Sequence, residues 1–520
     1  MRKNSPLHLP VTVLILSLFT FNLGCGSGSQ SQSVNHTQNP LVAEYEGYTS
    51  CGGAVSVEFG PDTSYGRRTA WYPTAGAGPT GILVAGMQAS TTYHMAQQSQ
   101  CGTSVTTSAD ITFTTGALPS NMPFPTLTIA RPNPSASSPE NPGIELVDVI
   151  SANDNLMQAF FIDRNGNPIW YYPMAYPYSP ETIKFLPNGH LIFSLVSGPD
   201  SLLREVDLAG NTIREMDISV LAQKVQAAGF DFVPANMHHD LLPLPNGHLI
   251  VLVNFTKDVS NVTGYPGVVP MLGDGLIDLD QNWNPVWGWN AFDWLDVNRH
   301  LNGLPDWTHS NALQYTADGN ILISMRHQSW ILKLDYNNGT GSGNILWHLG
   351  YQGDFTLTQN GAVTTDPALW FSFQHFPSII SQDGQQITLA VWDNGDNRVL
   401  DNNGDVCQEV PPPAPDACYS RPVIFNVDEA TMMANINWTD PLPWFGIWGG
   451  SINQLENGNV EFDLNAPLVP PASEVASQVQ EVTQTATPQV VWQMQISPVN
   501  QTAYRAYRVP SLYPGITWQF

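Results

Sequence analysis

Two hairpin patterns alternate along this chain from about residue 143 to its end, and this repetition constrains the fold more than any other feature. The first pattern is an Asn-Gly or Asp-Gly turn between two apolar strands. These dipeptides tolerate the positive φ that a tight hairpin requires. Copies of the first pattern lie at 183–193, 241–251, Asp318-Gly319, Asp383-Gly384 and Asn457-Gly458.

The second pattern is a strand, a turn and a strand that often ends in Trp. Its copies are 161–170, 206–213, 277–287, 343–347, 426–438 and 489–492. One copy of each pattern supplies four antiparallel strands, which is the content of one propeller blade. The sequence therefore predicts an all-β fold with a six-bladed β-propeller over 143–520, closed by the segment from Ala503 to Leu512. An open array of sheets is the alternative, and it is disfavoured because it would leave strand edges exposed.

Residues 41–118 are expected to form a separate, smaller β domain. Val55 to Phe59 alternates apolar and polar residues, and so does Ile111 to Phe113. The segment between them, Gly81 to His94, is similar to the fibronectin-type sandwich, in which a Tyr before a central strand braces a corner. We therefore expect a β-sandwich over 41–118, joined to the propeller by a proline-rich linker over 119–142.

The N-terminus has the features of an export signal. Arg2 and Lys3 precede a mainly apolar stretch from Leu7 to Leu23, which is short for a membrane span. Cys25 and the Gly/Ser-rich residues after it are typical of a lipoprotein cleavage site and its flexible tether. We therefore expect a signal peptide over 1–24, a lipidated Cys25, a tether over 25–40 and a location in the periplasm or cell envelope. Cleavage nearby without lipidation is the alternative.

The four cysteines beyond Cys25 predict two disulfides, because an even set in an exported chain favours pairing. Cys407 and Cys418 bracket a proline-stiffened loop that a bridge would close. Cys51 and Cys101 are then left to pair in the N-terminal region. No Cys-x-x-Cys or His/Cys cluster has the spacing of metal ligands, so we expect no metal site.

The net charge of −26 argues against a nucleic-acid partner, since no basic run offsets it. It also restricts how an anionic substrate would bind. With only 18 Lys and Arg residues in the chain, a few local cations would have to overcome a repelling background field.

Three histidines occupy equivalent positions in the repeat. His238 and His375 lie nine residues before the turn glycine of their copies of the first pattern, and His309 lies ten before. The corresponding residues in the first and fifth copies are Pro180 and Gly449, so the fold itself does not require His there. Because the innermost strands of a propeller begin at one mouth, three consecutive blades would direct these imidazoles into one funnel.

Arg326 adds a guanidinium at the end of the apolar strand that follows His309. Its planar fork of donors suits a tetrahedral oxyanion. Three His and one Arg therefore predict an anion site rather than a metal site, where the Arg would repel the cation. The histidines on or beside strand turns are instead expected to be structural, namely His190, His248 and His348.

Several motifs, in this order, are similar to those of the bacterial arylsulfate sulfotransferase family. They are His238-His-Asp240, His309-Ser-Asn, Ser324-Met-Arg-His-Gln328, Gln374-His375, Trp392-Asp-Asn-Gly-Asp-Asn-Arg398 and Tyr507-Arg-Val-Pro-Ser-Leu-Tyr513. The resemblance spans about 145–515 and includes an N-terminal β-sandwich. It implies an enzyme that transfers a sulfuryl group from an aryl sulfate to a phenol, without a nucleotide sulfate donor and without a cofactor.

The same resemblance implies roles for individual residues. His375 is the nucleophile, and His238, His309 and Arg326 hold the sulfuryl oxygens, with His239 as an alternative to His238. The implied mechanism is ping-pong transfer through a sulfo-histidine. One of the supporting imidazoles protonates the departing phenolate, and the sequence does not assign that task between them.

Three more residues are candidate contacts for the substrate. His239, Trp307 and Phe373 lie near the same mouth, and packing between blades is an equal alternative for the two aromatic residues. Two features depart from the family: the lipid anchor expected at Cys25 and a long loop between Cys407 and Cys418. Both bear on location or on the range of acceptors rather than on the chemistry.

Two other functions remain open on the sequence. One is a surface propeller that binds anionic or sulfated ligands without turnover, and the other is a metal-dependent hydrolase that uses the same three histidines. The expected partners are a small-molecule aryl sulfate and a phenol, with a membrane reached through the lipid anchor. The oligomeric state is open, with a homodimer among the alternatives.

Overall fold

The computed structural model describes residues 32–151, 156–174, 178–197, 200–398, 406–407, 418–465, 477–497 and 501–519. Most of the described secondary structure is β-strand in antiparallel sheets, so the prediction of an all-β fold is confirmed. None of the described helices has the length and apolar character needed to cross a bilayer. The helices are one α-helix, Ile218–Ala227 (α1), and short 3₁₀ helices at Ala291–Asp293, Arg326–Gln328, Asn337–Gly339 and Pro367–Leu369.

The N-terminal strands form two sheets. Their bounds are Ser33–His36 (β1), Ala43–Thr49 (β2), Gly53–Gly60 (β3), Arg67–Arg68 (β4), Tyr72–Thr74 (β5), Gly78–Val84 (β6), Thr92–Cys101 (β7), Ser104–Thr107 (β8) and Ile111–Thr114 (β9). One sheet has the order β1-β2-β6. The other has the order β4-β3-β7-β8, with β5 also paired to β3 and β9 to β7.

The two N-terminal sheets share one apolar core. Tyr45 from the first sheet and Val57 and Phe59 from the second are fully buried in it. Tyr93 in β7 braces the preceding segment, because its hydroxyl accepts a hydrogen bond from the backbone N–H of Gln88 at 3.0 Å. Two facing sheets with a braced corner are the arrangement expected of a β-sandwich.

Both predicted disulfides are confirmed. Cys51–Cys101 joins the end of β7 to the chain just before β3 and closes a span of 50 residues. Cys407–Cys418 closes a span of 11 residues, and both cysteines are buried beside Phe445.

The remaining strands, β10 to β36, form six further sheets. Those up to β21 are Thr126–Ala130 (β10), Ile144–Ser151 (β11), Ala159–Ile162 (β12), Pro168–Tyr172 (β13), Ser179–Phe185 (β14), Leu191–Ser197 (β15), Asp200–Val206 (β16), Thr212–Asp217 (β17), Asn236–Pro243 (β18), Leu249–Ser260 (β19), Val268–Leu279 (β20) and Pro285–Asn290 (β21). Those that follow are Ser310–Tyr315 (β22), Ile321–Met325 (β23), Trp330–Leu334 (β24), Ile345–Leu349 (β25), Thr356–Gln359 (β26), Ala362–Val363 (β27), His375–Asp383 (β28), Gln386–Asp393 (β29), Arg421–Asp428 (β30), Met433–Thr439 (β31), Ser451–Gln454 (β32), Val460–Asn465 (β33), Ser477–Val482 (β34), Val490–Ser497 (β35) and Gln501–Val509 (β36).

Each of the six sheets contains the four strands that the two sequence patterns predict. Their orders are β36-β11-β12-β13, β14 to β17, β18 to β21, β22 to β25, β28 to β31 with β26 and β27 added, and β32 to β35 with β10 added. The first pattern forms the opening hairpin of five sheets. Its turn glycines have positive φ, for example 81° at Gly247 between β18 and β19. The second pattern lies in the outer hairpin of every sheet.

The Trp residues that end the second pattern connect five of the six sheets to a neighbouring sheet, and the copy at 206–213 in the second sheet has no Trp. The indole N–H of Trp170 in the first sheet donates to the carbonyl of Leu208 in the second at 2.8 Å. From the sixth sheet, the N–H of Trp492 donates to the carbonyl of Arg164 in the first at 2.9 Å. Since each bond satisfies a buried or half-buried donor across a sheet boundary, it explains why the pattern carries Trp. The same kind of bond joins Trp287 to Gly341, Trp347 to Glu429 and Trp438 to Thr485.

The C-terminal strand joins the two ends of the repeat region. β36 pairs antiparallel with β11, with Val509 opposite Ile144, as the sequence predicted for this segment. Arg508 in β36 also holds buried carboxylates from the first and sixth sheets together. Its guanidinium lies 3.1 Å from Glu145, 3.0 Å from Glu461 and 2.7 Å from Glu481.

The segment 119–142, expected to be a linker, contains β10. This strand pairs with β35, with Thr126 opposite Ser497. That part of the segment is therefore a fifth strand of the last sheet. The domain boundaries drawn at residues 118 and 142 stay predictions.

Candidate active site

The aligned histidine positions lie at or near the start of β18, β22 and β28, each of which is the first of the four strands of its sheet. His239 (φ 55°) and His309 (φ 48°) have left-handed backbone, which costs of order 1 kcal/mol or more for such residues. The strand pairing is also irregular here, with register shifts between Met237 and Leu241, between Ser310 and Ala312, and between His375 and Ser378. Bulges of this kind redirect side chains and are frequent beside active sites.

Side chains from these three strands and from β36 meet in one cluster. The ring centroid of His239 lies 4.8 Å from that of His309 and 5.7 Å from that of Tyr504. Tyr504 in turn lies 6.2 Å from His375. The predicted histidines are therefore brought together rather than spread over the surface. We call this cluster the histidine pocket, and it consists of His239, His309, Arg326, His327, His375 and Tyr504.

Repeat counting selected His238, but the contacts assign the position facing the pocket to His239. Nε2 of His238 lies 3.3 Å from the carboxylate of Asp274, and its Nδ1 lies 2.7 Å from Nδ1 of His239. Burial disfavours a charged ring at His238, yet Asp274 raises its pKa above the ordinary value. His238 therefore stands behind His239. A fixed spacing missed this because a bulge adds residues that the count does not register.

His309 is paired with a carboxylate three residues earlier in the chain. Its Nδ1 lies 2.5 Å from Oδ2 of Asp306, so Nδ1 carries the hydrogen and Nε2 is left for other partners. The side chain of His309 is 28% exposed, which makes it more open than those of His239 or Arg326. An imidazole oriented by a carboxylate in this way is suited to acid–base catalysis.

Arg326 directs its guanidinium into the pocket but is not free. Its Nη2 donates to Oδ2 of Asp396 at 2.9 Å and to the carbonyl of Ile447 at 2.8 Å. Its Nε–H is buried and has no hydrogen-bond partner in the described part of the chain. Burial raises the pKa of Asp396 to about 8, against the lowering effect of Arg326. The ionisation of this carboxyl therefore decides how far the charge of Arg326 is compensated.

His327 lies between Arg326 and His309. Its Nε2 accepts a hydrogen bond from Nη1 of Arg326 at 2.6 Å, and its Nδ1–H donates to the carbonyl of Asp306 at 2.9 Å. Its ring stacks on that of His309 at 4.5 Å. Burial, together with the neighbouring His309 and Arg326, lowers the pKa of His327 to about 4. The ring is therefore neutral at neutral pH.

Asp306, His309 and His327 form a group of three potential metal ligands. Their hydrogen bonds argue against a bound cation, because both ring nitrogens of His327 are engaged. The guanidinium of Arg326 also lies against this ring, and like charges at such a distance repel. The arrangement suits an anion better than a metal ion.

His375 opens β28 and is held as one tautomer. Its Nδ1–H donates to Oδ1 of Asn394 at 2.7 Å, because the amide nitrogen of Asn394 already donates to the carbonyls of Gly446 and Gly449. The lone pair is therefore on Nε2, which accepts the N–H of Gly449 at 3.2 Å. Burial, and then the positive charge of Arg326, lowers the pKa of His375 well below its ordinary value. This imidazole is neutral.

Tyr504 completes the pocket from β36. Its hydroxyl is buried and makes no well-formed hydrogen bond within the described ranges, although the guanidinium of Arg505 lies 5.0 Å from its ring. Burial raises the pKa of this hydroxyl, so it stays protonated. Because buried hydroxyls normally have a hydrogen-bond partner, this one indicates that a ligand in the pocket supplies the acceptor.

The two aromatic residues expected to contact substrate have different surroundings. Trp307 is fully buried in an apolar cluster, and its indole N–H donates to the carbonyl of Arg299 at 2.8 Å. This favours the packing alternative for Trp307. Phe373 is also buried, but its ring lies 4.8 Å from the guanidinium of Arg326 and 5.4 Å from the ring of His327. It therefore forms part of the pocket wall.

The histidines expected to be structural lie at strand turns and bind carboxylates. His190 contacts Glu205 at 2.6 Å, His248 contacts Asp278 at 3.1 Å and His348 contacts Asp354 at 2.8 Å. The signal peptide and Cys25 lie outside the described residues.

Sequence reasoning missed several residues that shape the pocket. Asp306 could have been found from the sequence, because it lies only three residues before His309. Asn394 and Asp396 could also have been found, because they lie within the motif from Trp392 to Arg398 that carries the family resemblance. Asp274 and Tyr504 had none, because each is brought in by a different strand.

The fold and the site together define the class of this protein, which is an all-β protein with histidine rings around one guanidinium. The chain belongs to the Arylsulfotransferase (ASST) family, whose model matches residues 128–508. The match includes the whole histidine pocket and confirms the resemblance found in the sequence. It supports arylsulfotransferase activity in general, with the aryl sulfate and phenol substrates that the family implies. No curated protein matches the chain.

Solved structures similar to the chain include a protein of unknown function from Bacteroides caccae, with 11% identity, a TM-score of 0.41 and coverage of 70% of this chain and 98% of that one. A protein from Lactobacillus plantarum has 9% identity, a TM-score of 0.35 and coverage of 68% and 82%. Virginiamycin B lyase from Staphylococcus aureus has 8% identity, a TM-score of 0.28 and coverage of 72% and 99%.

Proposed function

We propose that this protein is an arylsulfate sulfotransferase that works by ping-pong transfer through a sulfo-histidine at His375. The observation that carries the proposal is the state of that side chain. His375 is a neutral imidazole with its hydrogen fixed on Nδ1, and it lies close enough to Arg326 for the guanidinium to lower its pKa. A neutral ring beside a fixed cation is what nucleophilic attack on a sulfate ester needs, once the sulfur displaces the N–H of Gly449 from the Nε2 lone pair.

We also infer that the six sheets form a closed six-bladed β-propeller, with the N-terminal sheets as a separate β-sandwich domain. The pairing of β36 with β11 and the bond from Trp492 to Arg164 support closure between the sixth and first sheets. A closed ring also explains why side chains from β18, β22, β28 and β36 reach one pocket.

In the first half-reaction, the lone pair on Nε2 of His375 attacks sulfur, and the bond from sulfur to the aryl oxygen breaks. The leaving phenolate takes the electron pair of that bond. The N–H of Gly449, which lies 3.2 Å from Nε2, is placed to donate to a sulfuryl oxygen once nitrogen is bonded to sulfur. In the second half-reaction, the oxygen of an acceptor phenol attacks sulfur, and the bond to Nε2 breaks and restores the lone pair.

We assign proton transfer to His309. With Asp306 holding its Nδ1–H, the imidazolium of His309 would give its Nε2 proton to the departing phenolate, and the resulting neutral ring would take a proton from the acceptor phenol. A simple phenolate is a poor leaving group, since the pKa of its parent acid is about 10. The greater exposure of His309 suits a residue that meets both phenols at the pocket mouth.

Three donors would stabilise the transferring group. They are the guanidinium of Arg326 with its unpartnered Nε–H, the hydroxyl of Tyr504, and the ring of His239. Sulfuryl transfer resembles phosphoryl transfer in placing charge on equatorial oxygens. Loss of one such donor typically costs about 3 kcal/mol, which is roughly a hundredfold in rate.

The assay that tests the proposal uses p-nitrophenyl sulfate as donor and phenol as acceptor. We expect phenyl sulfate to form, with parallel lines in the two-substrate plot that indicate a ping-pong mechanism. His375→Asn should abolish transfer, whereas His248→Asn, a matched change at a turn histidine, should leave the rate nearly unchanged. Retention of ligand without product would indicate a binding protein, and hydrolysis abolished by a chelator would indicate a metal enzyme.

Mass spectrometry tests the covalent step directly. After brief exposure to donor alone and rapid quenching, a peptide that contains His375 should gain one sulfuryl group. The gain should disappear when phenol is added before the quench. A modified His309 or His239 peptide, with an unmodified His375 peptide, would move the nucleophile to another residue.

We propose in addition that the chain is exported and anchored to the cell envelope through a lipidated Cys25. The support is the N-terminal sequence pattern, together with two disulfides that require an oxidising compartment. Cys25→Ser should move the protein from the membrane fraction to the soluble fraction and abolish labelling by a palmitate analogue. An unchanged distribution would argue for cleavage without lipidation.

A further inference from the structure

A second cleft lies beside the histidine pocket and contains none of its residues. It has a cavity volume of about 140 Å³. Its wall carries Leu301 and Tyr351, which are 36% and 42% exposed although both are largely apolar, together with the buried ring of Trp370. Its polar wall is formed by Ser329 and Ser372.

Arg299 is the feature that distinguishes this cleft. Its guanidinium stacks on the ring of Trp330, with 3.8 Å between the guanidinium carbon and the ring centroid. It donates to the side-chain carbonyl of Gln352 at 2.8 Å and to the backbone carbonyl of Gln328 at 3.0 Å. Its Nε–H is buried and has no hydrogen-bond partner in the part of the chain that the structure describes.

The charge of Arg299 is not balanced by a carboxylate. No ion pair to Arg299 occurs among the described residues, whereas Arg398, which also lines the cleft, is paired with Asp393 at 2.7 Å. Burial lowers the pKa of Arg299 to about 10, so the side chain remains charged at neutral pH. In a chain with a net charge of −26, a cation held by neutral groups alone is unusual.

We propose that this cleft is a second binding site, which takes a planar aromatic ring that carries an anionic substituent such as a carboxylate, sulfonate or sulfate. The ring would pack between Leu301, Tyr351 and Trp370, and the anion would be attracted by the charge of the Arg299 guanidinium. The inference does not depend on sulfuryl transfer, since it uses no residue of the histidine pocket.

The test uses naphthalene-2-sulfonate, whose carbon–sulfur bond prevents sulfuryl transfer, with the mature full-length protein in isothermal titration calorimetry. Arg299→Gln removes the charge, and we expect binding to weaken by at least about tenfold. Leu301→Glu places a carboxylate at the exposed wall and should weaken binding at least as much. Arg131→Gln, a surface arginine paired with Glu140, is the matched control and should bind like the wild type.

Two further measurements distinguish binding at the cleft from binding at the histidine pocket, and the contribution of the aromatic ring from that of the anionic group. Arg326→Gln should remove binding of the sulfonate at the histidine pocket and retain binding at the cleft, which the added change Arg299→Gln should then weaken. The neutral 2-naphthol should bind more weakly than the sulfonate. If Arg299→Gln does not fold, as judged by circular dichroism, Leu301→Glu decides the result. Absence of binding, wild-type affinity in both cleft variants, or loss of binding in Arg326→Gln alone would overturn the proposal.

Discussion

The Nδ1 atom of His375 lies 2.7 Å from Oδ1 of Asn394, and this contact determines which ring nitrogen carries the lone pair. The amide of Asn394 cannot turn round, because its nitrogen donates to the carbonyls of Gly446 and Gly449. A carboxylate in the same place would favour the charged imidazolium, whereas an amide orients the ring without charging it. The neutral ring is the form whose lone pair can attack sulfur.

Replacement of Asn394 by Asp tests this relationship. The new carboxylate would raise the pKa of His375, so a larger fraction of the ring would be protonated at mildly acidic pH. The acid limb of the pH profile of kcat/KM for p-nitrophenyl sulfate should therefore move to higher pH. Asn394→Ala is the uncharged control and should lower the rate without moving that limb upward. An unmoved acid limb in Asn394→Asp would contradict the assigned role.

Asp396 should control affinity at alkaline pH. Its pKa is raised to about 8, mainly by burial, so the carboxyl is neutral below that pH and ionised above it. Ionisation compensates the charge of Arg326, which weakens the attraction for an aryl sulfate. KM for the donor should therefore rise above about pH 8 in the wild type. In Asp396→Asn, which keeps the hydrogen bond but cannot ionise, KM should stay flat over the same range.

The parts of the fold that were predicted from the sequence are those set by local chemistry. Asn-Gly and Asp-Gly turns require positive φ, so each hairpin was visible in its own residues, as at Gly247. The Trp at the end of the second pattern was visible, but its partner was not. Trp170 bonds to Leu208 in the next sheet, and only the packing of two sheets reveals such a contact.

The site divides in the same way. The repeat brought His309 and His375 into register, but it selected His238 where the bulge in β18 presents His239. The spacing of a sequence repeat does not reveal a bulge that shifts one strand by a residue. Tyr504 is on the last strand and meets His239 only because β36 returns to the first sheet. Contacts of such long sequence separation leave no local pattern.

Asp306→Asn tests the acid–base role of His309. The variant loses the charged acceptor at Nδ1, so proton transfer to the leaving phenolate should slow by about 10²–10⁴-fold. The loss should depend on the donor. With phenyl sulfate, whose leaving group needs the proton, we expect the full effect on kcat, whereas p-nitrophenyl sulfate, with a more acidic phenol, should show a smaller one. Equal losses for both donors would indicate that Asp306 acts only on the structure of the pocket.

Arg508 should be essential for stability, because it joins carboxylates of the first and sixth sheets. Arg508→Met would leave Glu145, Glu461 and Glu481 buried without a cation, which typically costs about 3–5 kcal/mol. Thermal unfolding should begin at a clearly lower temperature than in the wild type. Arg131→Met is the control, because the Arg131 side chain is exposed and its partner Glu140 keeps a second cation, Arg164, at 3.2 Å. Pairs with an exposed partner typically contribute about 0–1 kcal/mol.

The pH dependence of that variant gives a sharper test, because its sign is fixed by the carboxylates. Burial, and then Glu461, already raises the pKa of Glu145 well above its ordinary value with Arg508 present, and removal of the cation would raise it further. A group whose pKa is higher in the folded state stabilises the fold when protonated and loses that contribution as the pH rises. The loss of stability of Arg508→Met relative to the wild type, followed by thermal unfolding across pH, should therefore be smallest under acidic conditions and grow toward neutrality.

The second change Glu461→Gln should restore part of the stability at neutral pH, since it removes one of the uncompensated charges. A deficit independent of pH would mean that Arg508 stabilises the junction of the first and sixth sheets by packing against the indole of Trp492, 4.7 Å away, and not by charge.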